Sequence, residues 1–399
     1  MRISKYKVLV VSIAICMFLI NLNNSTIYHY FFDEYTIYFA ILAGLLLICA
    51  LPFAHDFLIN KKDLSYFFVF IIFISFSSFI RGITSDYITL LLYIVLLFLI
   101  VFLSKGYNID YMKLFFIVSL VFSIWGLINY LYFLFDLSFV PLVKTSEILS
   151  WTRDVNLYGY VLCKPRSDFA IGGFTLYRLD APFGEPGIMQ MYSNYCVAYL
   201  LFFDDQVKYR KQILVISIIT SILSFSLIGI IILTALSFLY FFKQKNTGLM
   251  VLFGSLMMIA VILMITEKTT SVSYLDRSSD YGYMIKQILE WLPFGIGIGH
   301  NELMSSNFVE SIGRNAIGGY CGLLTPLLNF GLFGIVYYIY LYKAIVNCSV
   351  NFYSKISLAI LFLLTLFTEP QAMSVYVLGF LMWGIFIHKK RKRNVEYYE

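Results

Sequence analysis

Apolar runs of 15–25 residues recur along the whole chain, separated by short polar connections, and this pattern constrains the fold more than any other feature. A helix rises about 1.5 Å per residue, so a run of that length covers the roughly 30 Å of a bilayer's hydrocarbon core. Composition agrees: 60% of the 399 residues are apolar or aromatic and 13% are charged. Soluble domains sit near 45–50% apolar and about 25% charged. An ordinary soluble globule, a disordered chain and a nucleic-acid binder are therefore excluded. The expected fold is an all-α polytopic membrane protein.

The runs fall at 8–22, 35–54, 64–80, 87–103, 113–135, 187–203, 213–228, 229–242, 248–265, 317–342, 356–370 and 371–388. Lys and Arg in the short connections set orientation. Arg2/Lys5/Lys7, Lys61/Lys62, Lys105/Lys113, Lys208/Arg210/Lys211, Lys243/Lys245, Lys343/Lys355 and the stretch from His388 to Arg393 all fall on one side if the chain crosses about 12 times with both termini cytoplasmic. The first run is expected to stay as an uncleaved helix, because Asn21–Ser25 lacks a small-x-small cleavage pattern. The net charge of +6 belongs to these clusters. Six cysteines are expected to pack rather than to pair.

The stretch 213–242 tests the topology. Basic residues flank it at both ends, so a hairpin turning at Ser224–Gly229 keeps both clusters on one side, whereas a single tilted helix separates them. Two long outer segments remain, 136–186 and 266–316. Long connections between spans are usually functional.

Four groups in or beside these segments are candidates for chemistry. Arg178-Leu-Asp-Ala-Pro-Phe-Gly-Glu185-Pro186-Gly187 ends the first. Pro186 suits a first helical turn, and Glu185 is either the cap of the following helix or a carboxylate held at a membrane boundary beside Arg178. Asp276-Arg277-Ser278-Ser279-Asp280 opens an amphipathic stretch with an apolar face at Tyr281, Met284/Ile285, Ile288 and Trp291/Leu292, with Ser278 or Ser279 as its cap and Trp291 in an interfacial aromatic belt. Gly295-Ile-Gly297-Ile-Gly299-His300 lacks the lysine and the spacing of a nucleotide loop, but it delivers His300 to the surface. Arg314 precedes Gly318, Gly319 and Gly322, read as a small-residue helix face.

Several arginines and a carboxylate suit departure of a lipid diphosphate. Guanidinium forks match its oxygens, and a carboxylate can take the proton of an attacking hydroxyl. Aromatic residues make up 19% of the chain and can stack on sugars, although interfacial belts account for most of them.

At four places the chain resembles the O-antigen polymerases of the Wzy type, within the superfamily that also holds O-antigen ligases. These are Arg178…Phe183-Gly-Glu185-Pro186, Ser224-Phe-Ser226-Leu-Ile-Gly229, Arg277…Pro293-Phe-Gly295-Ile-Gly297, and Asn329-Phe-Gly331-Leu-Phe-Gly334. Gly318-Gly319-Tyr320 and Ser226-Leu227 depart from the ligase pattern. The resemblance implies a GT-C-like, metal-independent glycosyltransferase of the bacterial inner membrane, using no cofactor. Its two long segments would be periplasmic. It would join undecaprenyl-diphosphate-linked repeat units, with a flippase and a chain-length regulator as partners. It also implies catalytic roles for Glu185, Arg178, Arg277 and His300, and diphosphate binding by Arg178, Arg277, Arg314, Arg166 and Arg153. An O-antigen ligase, a lipid-linked oligosaccharide flippase or transporter, and a structural scaffold are the competing readings.

Overall fold

A computed structural model of the chain describes residues 5–22, 36–50, 61–135, 144–145, 155–158, 160–163, 166–171, 174–180, 182–183, 185–252, 254–255, 258, 262, 272–300, 321–369 and 371–386. Most of them are helical. The helices are α1 (Lys5–Leu22), α2 (Thr36–Ala50), α3 (Lys61–Arg81), α4 (Ser85–Gly106), α5 (Tyr111–Leu134), α6 (Pro186–Phe202), α7 (Arg210–Leu223), α8 (Leu227–Lys243), α9 (Val272–Glu290), α10 (Thr325–Phe330), α11 (Gly334–Cys348), α12 (Phe352–Thr368) and α13 (Val375–Phe386).

All but the amphipathic α9 follow apolar runs, and local chemistry sets the ends. Thr84 caps α4 by accepting Tyr87 N–H, with Asp86 in the first turn and Lys105 in the last, both complementing the helix dipole. Asn351 and Ser354 form a reciprocal capping box on α12. Among the described residues, four helical stretches are long and apolar enough to cross a membrane: Leu64–Arg81, Ser85–Gly106, Tyr111–Leu131 and Thr325–Cys348. The last is interrupted by a tight turn at Gly331–Phe333, where the expected run 317–342 was continuous. Tyr6–Leu22, Leu227–Lys243, Phe352–Phe367 and Val375–Phe386 are shorter apolar helices.

Short strands occupy the segment before α6. β1 (Lys144–Thr145), β2 (Val155–Tyr158) and β3 (Tyr160–Cys163) form one antiparallel sheet in that order, and β4 (Arg166–Ile171) pairs with β5 (Phe174–Arg178). Nothing in the period of the sequence had marked these strands.

α6 is the central helix. All of its residues but Ile188 are buried, although it carries Gln190, Ser193 and Asn194. A helix buried on every face must satisfy such groups internally. Asn194 does so across the chain, donating to Gln190 Oε1 at 2.9 Å and Gly229 O at 3.0 Å while accepting from Ser221 Oγ at 3.0 Å.

The stretch 213–242 is a hairpin. Helix breaks at Ser224–Ser226, with Phe225 at φ +43°. Arg210 Nε donates to Leu200 O at 2.9 Å, and Lys243 Nζ lies 5.9 Å over the Phe202 ring. Both basic ends therefore meet the same end of α6, as their charge pattern requires. The arms hold 14 and 17 residues, so they reach only about 21 and 26 Å at 1.5 Å per residue.

The basic connections gather at one end of the bundle. Lys113 Nζ pairs with Asp204 Oδ2 at 3.6 Å, the Tyr111 ring stacks on Trp383, Asn347 donates to Gly384 O at 2.7 Å, and Lys343 Nζ lies 5.7 Å from the Tyr66 ring. Tyr195 Oη donates to Met112 O at 3.1 Å, which sets the C-terminal half of α6 beside the start of α5. The N-terminus of α6 is thus at the opposite end, together with the close of α3 and the opening of α4. Cys16, Cys196, Cys321 and Cys348 are buried and form no disulfide, as expected of packing residues.

Candidate functional site

The end of the bundle opposite the basic clusters is built from the four segments that carry the sequence resemblance, packed in pairs. In the first pair, Leu179 N–H donates to Leu223 O at 2.8 Å and Arg178 Nε donates to Ser224 O at 3.3 Å. The strand end leading into α6 therefore closes the tip of the α7–α8 hairpin. A tip buried among helices exposes carbonyls and N–H groups that need internal partners. Arg178 and Leu179 supply two of these, and Ser224 Oγ and Ser226 Oγ supply others through Ser221 O and Gly229 N–H. A Cβ on Gly229 would come within 2.8 Å of Gln190 Cβ, so the close approach of α8 to α6 requires glycine.

In the second pair, Ile296 N–H donates to Leu328 O at 2.9 Å, Gly297 N–H to Asn329 O at 3.0 Å, and Leu332 N–H to Pro293 O at 2.9 Å. Gly295 lies at φ +80°, and a Cβ there would sit 2.5 Å from both Asn329 O and Gly331 N. The alternating glycines therefore hold backbone against backbone. Gly299 similarly faces Thr84, whose Oγ1 donates to Ile298 O at 2.8 Å.

One residue joins the two pairs. Glu369, at the end of α12 and only 4% exposed, has its carboxyl group against Gly187 in the first turn of α6 and its carbonyl against Gly322, which precedes α10. Leu323 N–H donates to Leu366 O at 2.6 Å beside it. Glu369 was not among the sequence-based candidates.

Arg178 is half-buried at the hairpin tip, and Arg166 opposes it in the β4–β5 register. Glu185 occupies the cap position of α6, but its side chain makes no capping hydrogen bond. Its carbonyl accepts from Ile188 and Met189 N–H at 3.1 Å each. The capping reading of its carboxylate is therefore replaced by a half-buried carboxylate that does not cap the helix at whose head it stands. Arg277 lies within α9, which begins at Val272. Ser278 and Ser279 are thus interior residues rather than caps. Arg153 and Arg314 lie outside the described residues, as do Gly318 and Gly319. Gly322 is in a turn that admits the Glu369 backbone, not on a small-residue helix face.

His300 meets the α3–α4 turn, its Nε2 lying 3.3 Å from Gly82 O. Arg81, also absent from the candidates, donates through Nε to Gly295 O at 3.2 Å and stacks 4.7 Å over the Trp291 ring. Trp291 donates to Gln287 Oε1 at 3.1 Å, which holds its ring as a platform for Arg81. Along α9 the buried side is Met284 and Gln287, flanked by Tyr281, Ile288 and Trp291, while Ile285 and Leu292 face outward. Burial, and then the Glu290 carboxylate, raises the Tyr283 hydroxyl's pKa above its ordinary value.

No protein-family model, curated protein or solved structure matches the chain.

Proposed function

We propose that this chain is a membrane glycosyltransferase that polymerises lipid-linked oligosaccharide repeat units, in the manner of an O-antigen polymerase. It crosses the bacterial inner membrane about 12 times with both termini cytoplasmic, in a GT-C-like arrangement, and works at the periplasmic face. Its substrates are undecaprenyl-diphosphate-linked glycans, and a flippase and a chain-length regulator work beside it.

The acceptor hydroxyl on one repeat unit attacks the anomeric carbon of the growing glycan. A new glycosidic C–O bond forms, the C–O bond to the diphosphate breaks, and undecaprenyl diphosphate leaves with the bonding pair. Arg178, with Arg166 opposite it in register, stabilises the charge on the departing diphosphate. Arg277, Arg314 and Arg153 are assigned the same diphosphate-binding task. Glu185 takes the hydroxyl proton or orients the hydroxyl, with His300 as a second group for that task.

A single observation carries this reading: the Arg178 guanidinium is fixed at the tip of a buried hairpin, at the end of the bundle away from the basic connections, on the segment that leads into Glu185 at the head of α6. A cation held at such a boundary, with a carboxylate on the same short segment, suits diphosphate departure and proton acceptance.

Purified protein, one lipid-linked repeat unit and a chelator should yield a ladder of products on a gel. An unchanged single band would overturn the proposal. In cells, loss of this protein should leave lipopolysaccharide capped with a single unit. Lipopolysaccharide without any unit would indicate a ligase instead.

A further inference from the structure

Arg81 stands apart from the reading above, and its surroundings are those of an anion-binding arm. Its side chain is fixed twice, by the Nε bond to Gly295 O at 3.2 Å and by stacking over Trp291 at 4.7 Å. Trp291 is itself held by Gln287. Among the described residues the two terminal nitrogens have no hydrogen bond or ion pair, and the side chain is only partly buried. A guanidinium anchored through Nε and a ring face presents its Nη pair as a ready fork for two oxygens of a phosphate. Fixing the side chain beforehand also removes much of the entropy cost of binding.

His300 and Asp86 lie on the glycine-loop side of Arg81, and the surface on its other side is apolar. Phe79, Ile80 and Ile83, on either side of Arg81, are 68%, 46% and 57% exposed, and Leu332 beyond the glycine loop is 52% exposed. Three exposed apolar side chains beside a single oriented cation match a ligand with a phosphate head and a hydrocarbon tail.

We propose that Arg81, held on Trp291 and Gly295, binds the phosphate group of a lipid whose tail runs along the outer face of α3. An isoprenoid diphosphate and an anionic glycerophospholipid both present these oxygens. The site does not depend on the polymerase reading.

The test uses the full chain in phosphatidylcholine nanodiscs with three probes: farnesyl diphosphate, phosphatidylglycerol and inorganic pyrophosphate. Dissociation constants are measured for wild type, Arg81→Ala, Arg81→Lys and Trp291→Leu, with thermal melting as a check on folding. Arg81→Ala should weaken the preferred lipid probe by about tenfold or more, Arg81→Lys should fall between, and Trp291→Leu should weaken it severalfold. Preference between the two lipid probes identifies the source of the phosphate. Unchanged lipid binding in a folded Arg81→Ala protein overturns the proposal, as does pyrophosphate binding as tight as the lipid's. If Arg81→Ala melts below the assay temperature, Trp291→Leu decides by the same criterion. Lipid binding that needs Arg81 supports the site even where no polymer forms, so failure of the polymerase reading is separately visible.

Discussion

The Glu369 carboxyl group fills the space that a side chain on Gly187 would need: a Cβ there would lie 2.9 Å from Oε2 and nearer still to the other carboxyl atoms. This contact brings a buried acid to the positive end of the α6 dipole, where negative charge is favoured. It does so at a helix whose own cap residue, Glu185, makes no side-chain capping bond. Two glutamates thus stand at one helix start, Glu369 from the end of α12 against Gly187 and Glu185 in the cap position.

Gly187→Ala should therefore destabilise the protein by about 1–3 kcal/mol through overpacking. Thermal melting in detergent reads this directly. Combined with Glu369→Ala, the loss should be less than the sum of the single losses, because the second change removes the obstruction. Additive losses would show that the two side-chain positions do not touch.

Asn194, fully buried on α6, ties three helices together through Gly229 O on α8, Gln190 Oε1 on its own helix and Ser221 Oγ on α7. Asn194→Leu keeps the volume but strands those groups, at about 1–3 kcal/mol for each one left without a partner. A lowered melting temperature is expected, with Asn194→Asp also destabilising because it loses the two donated bonds. Gly229→Ala should act at the same place by pushing α8 from Gln190.

Much of the architecture could be read from the chain because hydrocarbon length and charge sidedness act locally. The runs at 64–80, 87–103 and 113–135 became helices with ends displaced by a few residues, and the hairpin at 213–242 broke within the expected turn. The site was less legible. Arg178 and Glu185 announced themselves by charge beside a span, whereas Arg81 closes a run as a lone cation, and its partner Gly295 lies 214 residues away. Glu369 sat at the end of the run 356–370, where nothing joined it to Gly187. The repeated Glu-Pro was the signal available. Ser278 and Ser279 misled because good caps are also tolerated inside a helix when the chain before them continues the turn.

The hairpin makes a topological prediction independent of any activity. Single cysteines at Lys211 and Lys243 should react with an impermeant maleimide from one side of the membrane, and a cysteine at Ile83 from the other. Lys211 and Lys243 flank arms whose basic ends both meet the C-terminal end of α6, and Ile83 lies at the opposite end of the bundle. Labelling of Lys211 and Lys243 positions from opposite sides would refute the arrangement.

Arg178 has two tasks that substitution can separate. Its Nε satisfies the Ser224 carbonyl at the hairpin tip, and the rest of the guanidinium is the part assigned to diphosphate. Arg178→Lys retains a positive charge and loses the fork, so polymerisation should fall while the protein still inserts and melts near the wild-type temperature. Arg178→Ala should abolish polymer and also lower the melting temperature, since a buried carbonyl loses its donor. Glu185→Gln removes no capping bond and should leave stability unchanged, yet slow polymerisation by about 10²-fold or more if its carboxylate accepts the proton. Repeat-unit ladders and melting curves on the same three preparations check all of this, and full-length polymer from Glu185→Gln would remove the carboxylate from the reaction.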